Sequence, residues 1–509
     1  MFAIIAVILS IWTLFNLVDI LLKSCLVRPY LEFLRHYNLS VKLFRVQWYT
    51  TRLNRYFNAG MVYTRKPVRS IWFDMGIVAT LALSPIACFL LTRTFSSLLW
   101  EMIYMTKISP SGSTSGSTGS SSSMDLTPAL PGINLPFSDL PFYIATLIIC
   151  SVLHEFGHAL AASKEGVRIN GVGAFVVVVF PGAYVDLPLD PLTTLPPWRR
   201  LRILCGGVWH NLVIAAGAWA LLTANPVLLS PLYRAGVAVV SVDGGISEGA
   251  AGPGGLWPGD EITAINDCKV KNAADWELCL GRYMASRLEG GCLPRNFVFG
   301  AAITSINSSG GGQKSRLKES CCSPGVESPT DLCFSLQPAL KQERECLPVR
   351  RSLQKLSAPC GNSSSCANLS ELCATPILAH PSHRLLVIKR SNVRQDMLFL
   401  GAPEELWKAV RVIEYVPRSN SLLASSQTIF YWETLLRYLV SFSGALAILN
   451  AMPCHTLDGH WIVMVLIELL LGSKQPTRNR RIYNVLTLGG TSLIGLTVTL
   501  GLRKLFYFM

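Results

Sequence analysis

His154, Glu155 and His158, in the run His154-Glu155-Phe156-Gly157-His158, are the only acidic or basic side chains strictly between Asp139 and Lys164. On a helix, residues four apart share a face, so both imidazoles project the same way. Two neutral imidazoles on one face can hold a zinc ion, and a glutamate beside the first can take a proton from water that the metal acidifies. The surroundings add weight to this short pattern. Ionisable groups inside a membrane helix cost about 2.5 kcal/mol or more each, so three clustered there imply a partner or a function. The plain alternative is a polar patch packed against another helix.

Two histidines leave a catalytic zinc one protein ligand short. A second apolar stretch offers candidates in Asn450-Ala451-Met452-Pro453-Cys454-His455-Thr456-Leu457-Asp458-Gly459-His460. Residues 437–471 are too long for one simple span, and Pro453 and Gly459 are expected to break the helix. A broken helix can hold a carboxylate at its turn. Asp458 is thus a candidate ligand, or merely the cap of a helix starting near Gly459. Cys454, His455 and His460 are chemically credible rivals.

The elements that must position these groups lie in a membrane. Of 509 residues, 50% are hydrophobic and only 15% charged, against roughly 25% charged in soluble proteins, so the chain reads as a polytopic membrane protein. Candidate spans fall near residues 2–22, 70–92, 140–163, 203–224, 437–471 and 482–501. The first has no basic start or evident small-residue cleavage site and reads as a retained anchor. Residues 23–69 hold ten Lys or Arg against one acid, Glu32, which suits a membrane-surface loop better than a nucleic-acid site. Residues 109–123 are a Ser/Gly/Thr run expected to be a flexible linker. Ser138 or Asp139 is a candidate cap for the HExxH helix, with Pro141 in its first turn. Residues 174–185 are β-branched, interrupted by Pro181-Gly182, and too short to span. They read as a re-entrant hairpin or loop buried in protein.

Ten of fifteen cysteines fall within residues 268–373, together with the glycosylation sequons at Asn307, Asn362 and Asn368. That combination predicts a disulfide-stapled loop in an oxidising lumen. Arg199, Arg200 and Arg202 then precede the next span on the cytosolic side, as positive charge should. The HExxH helix accordingly runs from lumen to cytosol, with His154 somewhat nearer the cytosol. Residues 235–300 alternate like short strands, with Pro258-Gly259-Asp260 at a turn. They resemble a PDZ domain, which binds peptides by strand addition. Strand-like sequence resumes at 396–416.

The chain resembles the site-2 protease family of intramembrane metalloproteases. The resemblance is carried by His154-Glu155-Phe156-Gly157-His158, by Gly207-Val208-Trp209-His210-Asn211, and by Asn450 through Leu457-Asp458-Gly459. The order of elements also matches, most weakly before residue 70, and the cysteine-rich insertion points to the animal branch. The resemblance implies that Asp458 is the third zinc ligand beside His154 and His158, with Glu155 as catalytic base. Asn211 and Asn450 occupy family positions suited to oxyanion stabilisation or substrate positioning. It implies one zinc per chain and transmembrane substrates in the lipid bilayer, with no direct nucleic-acid contact. Those substrates are membrane-anchored transcription-factor precursors of the sterol-regulatory-element-binding and stress-sensing types, already cut on the lumenal side by site-1 protease.

The expected fold is a polytopic α-helical membrane protein with an HExxH-bearing core, a re-entrant β-like segment and a lumenal PDZ-like β domain, located in the Golgi or endoplasmic reticulum. Its expected parts are 1–107 (membrane segments with a basic loop), 108–137 (Ser-rich loop), 138–234 (catalytic core), 235–436 (PDZ-like domain with insertion) and 437–509 (C-terminal segments). A zinc transporter using the same ligands is the alternative, but it would be expected to show several sites along a path and often internal repeats. A non-catalytic peptide-binding scaffold would leave Glu155 without a role.

Overall fold

The structure is a computed structural model that describes residues 2–57, 68–107, 137–251, 254–286, 290–299, 331–337, 343–360, 366, 368, 370–378, 380–391, 395–419, 424–472 and 475–507. The Ser-rich run, Asn307 and Asn362 lie outside the described residues. The chain divides into two compact units, Met1–Ala224 with Glu433–Met509, and Asn225–Trp432.

Five helical stretches among the described residues are long and apolar enough to cross a membrane: Ala6–Cys25, Ser70–Ile103, Phe137–Glu165, Gly206–Leu228 and Pro476–Lys504. The stretch 437–471 is not one helix. A helix over Ser426–Asn450 ends, a loop follows, and a new helix runs over Asp458–Leu471. Pro453 lies in that break, as a helix-breaking residue should. A shorter break at Cys205 separates helix Pro197–Leu204, which carries the three arginines, from helix Gly206–Leu228. These arginines are neutralised locally. Arg202 pairs with Asp74 at 2.7 Å and Glu165 at 3.0 Å, and the buried Arg200 pairs with Glu468 at 2.7 Å.

A four-stranded antiparallel sheet accompanies the helices, in the order β1 (Leu39–Lys42), β2 (Arg45–Thr50), β3 (Gly171–Val177), β4 (Phe180–Asp186). Two expectations are corrected here. Residues 23–69 are more than a basic loop, because 39–50 form a hairpin that pairs with β3, Trp48 opposite Ala174. Its alternating Val41, Val46 and Trp48 fit a pleated surface. The turn of the second hairpin is at Val178-Val179, whereas Pro181 and Gly182 sit inside β4, opposite Val176 and Phe175. A proline is tolerated there because β4 is an edge strand. Val178 adopts a left-handed φ of 58°. Tertiary bonds fix this turn: the Val178 N–H donates to Phe44 O at 3.0 Å, and the Trp12 indole donates to Val178 O at 2.9 Å.

The second unit is a β domain with two sheets. One has the order β14 (Met397–Gly401), β13 (Arg384–Arg390), β6 (Glu261–Ile265), β5 (Tyr233–Val242), β15 (Val410–Pro417), with the short β7 (Cys268–Lys269) on β6. Its core gathers Val237, Ile262, Trp276, Leu280, Ile388 and Phe399. The other sheet has the order β10 (Glu343–Pro348), β9 (Asp331–Gln337), β12 (Glu371–Pro376), β8 (Gly290–Pro294), β11 (Pro359–Cys360). The cysteine-rich insertion therefore builds its own sheet over an apolar core of Leu293, Leu332, Phe334 and Leu347. Strand structure resumes at Arg384, ahead of the expected 396. Disulfides join Cys268 to Cys279, Cys292 to Cys366 and Cys360 to Cys373.

Candidate metal centre

The helix over Leu140–Glu165 carries the HExxH run. Pro141 sits in its first turn, and Asp139, one of the two expected caps, occupies the N-cap position. No side-chain capping bond is made, and Asp139 instead accepts a hydrogen bond from the Tyr438 hydroxyl at 3.1 Å. Gly166, at φ 82°, closes the helix in the left-handed conformation that glycine adopts freely. Its buried face includes Tyr143, Thr146, Cys150, His154, Gly157, His158 and Ala161, a helical repeat of three and four residues.

His154 and His158 face each other one turn apart, with their Nε2 atoms 3.2 Å from one another. Asp458 joins them as the first residue of its helix. Its Oδ2 lies 3.0 Å from His154 Nε2 and 3.1 Å from His158 Nε2. Asp458 therefore turns its carboxylate to the histidines and does not cap a helix; the N-cap position belongs to Leu457. The loop before it is strained, since Thr456 has φ 75°. For a β-branched residue that conformation costs about 1 kcal/mol or more. Gly459 lets the loop fold this tightly, because a β-carbon there would sit on the Met452 carbonyl. Asn450 Oδ1 approaches the Asp458 N–H at 3.5 Å, closing the loop from the other side.

The outer ring nitrogens set the tautomers. His158 Nδ1 donates to Ile203 O at 2.8 Å, so its Nε2 lone pair points at Asp458. His154 Nδ1 meets the side-chain amide of the fully buried Asn211 at 3.1 Å. As placed, Asn211 Nδ2 faces His154 Nδ1; turned end for end, the amide oxygen accepts an Nδ1 proton and leaves His154 Nε2 free for a cation. Ser443 Oγ stands 3.4 Å from the amide's other end. Ser443, in the apolar run of a distant helix, carried no signal in the sequence.

With the Asn211 amide so turned, both Nε2 lone pairs meet the Asp458 carboxylate oxygen, and the three repel unless a cation lies between them. The spacings of 3.0–3.2 Å approach the edge of a zinc tetrahedron, about 3.3 Å for bonds near 2.0 Å. The donor set fits a small divalent cation. Among the described residues one other trio could hold a metal by proximity, Cys292, Cys360 and Cys366, but these sulfurs are in disulfides. The rival ligands stand outside the trio: Cys454 Sγ bonds His455 O, His460 Nδ1 bonds Leu457 O at 2.7 Å, and the His455 ring packs against those of His460 and Tyr483.

Glu155 is not one of the three donors and reaches the sheet. Its Oε2 accepts the Val185 N–H at 2.9 Å, and one turn earlier Ser151 Oγ accepts the Ala183 N–H at 2.7 Å. The free edge of β4 is thus docked onto the HExxH helix. Gly207 closes the opposite side. A β-carbon on it would strike His158 Nε2 and come within 2.7 Å of His154 Nε2. Gly207→Val is therefore expected to displace both rings, and the purified protein should lose most of its metal by elemental analysis. Full metal content would show that helix Gly206–Leu228 can move aside.

The sequence model of peptidase family M50 matches residues 142–494. A curated Arabidopsis thaliana protein, "Membrane-bound transcription factor site-2 protease homolog", is 26% identical over 405 residues, covering 71% of this chain and 77% of that protein. The matched segment holds both histidines, the glutamate, the buried asparagine and the aspartate at the broken helix. The chain belongs to peptidase family M50 and is a membrane metalloprotease of the site-2 protease family.

Proposed function

We propose that the chain is an intramembrane zinc metalloendopeptidase that hydrolyses a peptide bond within transmembrane segments of membrane-anchored proteins. The convergence of His154, His158 and Asp458 within 3.2 Å, next to Glu155 on an apolar helix long enough to span a membrane, carries this reading. A zinc ion held there supplies Lewis acidity and lowers the pKa of water towards ~7. Glu155 takes the water's proton and returns it to the leaving amine. The Val185 N–H holds Oε2, which leaves Oε1 for the proton. Asn211, with both amide ends engaged, positions His154 and fixes its tautomer. That role accounts for its burial better than oxyanion binding. Asn450 shapes the loop that presents Asp458.

A transmembrane substrate has its carbonyls tied up in helical hydrogen bonds, so it must unwind locally. Helix-breaking residues ease that step. Residues 174–185 are read as the platform for the unwound segment, taken up as an added strand on the β4 edge. The substrates are read as membrane-anchored transcription-factor precursors of the sterol-regulatory-element-binding and stress-sensing types. Site-1 protease first cuts them on the lumenal side, and the present cut releases a cytosolic domain. The name of the Arabidopsis relative supports that class.

The test is cleavage of a transmembrane substrate with a pre-cut lumenal end by the purified protein in lipid. Product should vanish with a zinc chelator and return on adding zinc. Zinc flux into vesicles with no peptide product would establish transport instead.

The β domain is read as lumenal, in the Golgi or endoplasmic reticulum. Its disulfides need an oxidising compartment, and Asn368, in the sequon completed by Ser370, is exposed. Asn368→Gln should remove one endoglycosidase-sensitive mass step on a gel. If wild type shows no such step and the six cysteines react as free thiols, the domain is cytosolic.

A further inference from the structure

A cavity of about 590 Å³ lies between the HExxH helix and the four-stranded sheet, and Glu155 forms part of its wall. Val152 and Phe156 line it from the helix, Ala174 and Ala183 from β3 and β4, and Trp48 and Phe57 from the N-terminal segment. Glu155 is the only acidic or basic residue among those lining it. The rings of Phe57 and Phe156 meet at 5.9 Å. Trp48 is held in place because β2 is hydrogen-bonded to β3. Trp48 and Phe57 both precede the segment 142–494 that the family shares.

An apolar cavity beside a peptidase's base and a sheet edge has a specific chemical complement. A strand running along β4 presents alternate side chains to the same face, about 7 Å apart. Side chains directed to the helix side of the sheet meet apolar walls, where a charge would be left unpaired. Ala174 and Ala183 leave room where larger residues would fill the space. We propose that this cavity is the peptidase's side-chain subsite, that it takes a bulky apolar residue flanking the scissile bond, and that residues 48–57 form its outer wall and set its size. The inference rests on Glu155 being the base of a peptidase.

The experiment uses the full chain in lipid nanodiscs with transmembrane peptides carrying Ala, Leu, Phe or Trp on either side of the scissile bond, located by mass spectrometry of the products. Cleavage is read as the ratio of kcat/KM between peptides, which a general loss of activity does not move. Wild type should favour Leu or Phe over Ala by about tenfold or more. Val152→Trp should reverse that ratio by filling the cavity, and Phe57→Ala should raise the ratio of Trp to Leu by opening it. If Val152→Trp cleaves nothing, the Phe57→Ala ratio decides. Glu155-dependent cleavage with ratios unchanged in the working variants would overturn the subsite while leaving the peptidase intact. Unchanged ratios with a co-purified lipid that Val152→Trp expels would assign the cavity to an acyl chain. Cleavage equally strong in Glu155→Gln would overturn the peptidase reading itself.

Discussion

Glu155→Gln is expected to lower cleavage of a transmembrane substrate by about 10²–10⁴-fold, the usual contribution of a general acid–base group. Metal content should stay at the wild-type level, because Glu155 bonds the Val185 N–H and is not among the donors His154, His158 and Asp458. Glutamine is the right replacement. It keeps an acceptor for the Val185 N–H, so lost activity cannot be blamed on an undocked β4. Cleavage above a few per cent of wild type would remove Glu155 from the chemistry.

Asp458→Asn should lose both metal and activity. The carboxylate supplies the only negative charge among the three donors, and its Oδ2 lies within 3.1 Å of both rings. Loss of a supporting hydrogen bond costs a metal site 10–100-fold; loss of the charged donor should weaken binding by more than about 100-fold. His455→Tyr and His460→Gln should retain most metal and cleavage, since neither belongs to the trio. The substitutions are compared by metal titration at fixed protein concentration. Normal metal and cleavage in Asp458→Asn, with loss in either histidine variant, would mean that the third donor has been misassigned.

Much of this centre was legible because its signals are local. Two histidines four apart need only a helix to meet, and Pro453 with Gly459 announces a break wherever the helix ends up. The closing contacts were not legible. Ser443 is one hydroxyl in an apolar helix, and nothing near it in sequence says that Asn211 will arrive. The N-terminal hairpin was hidden by charge. Ten basic residues in 23–69 fit a membrane-surface loop and mask the alternation around Val41, Val46 and Trp48. At Val178 the local signal pointed the wrong way. Pro181-Gly182 has turn-forming residues, whereas the actual turn places a valine in the left-handed region and depends on Trp12 and Phe44, over a hundred residues away in the chain. The sheet of the cysteine-rich insertion likewise depends on pairings between distant segments, such as β12 with both β8 and β9.

An open sheet edge is tolerated in water, which satisfies its N–H groups, but hydrocarbon offers them nothing. On the proposed re-entrant reading, Ser151 and Glu155 supply what the bilayer would withhold by capping the outward N–H groups of Ala183 and Val185. A substrate strand that docks on β4 must take over those same two donors. On the N–H side its arrival therefore exchanges hydrogen bonds one for one, so net backbone affinity comes from the outward carbonyls of β4. The same exchange releases Oε2 of Glu155, the oxygen that the Val185 N–H holds. The proposed base thus keeps one of its two oxygens on its own backbone until another backbone takes its place.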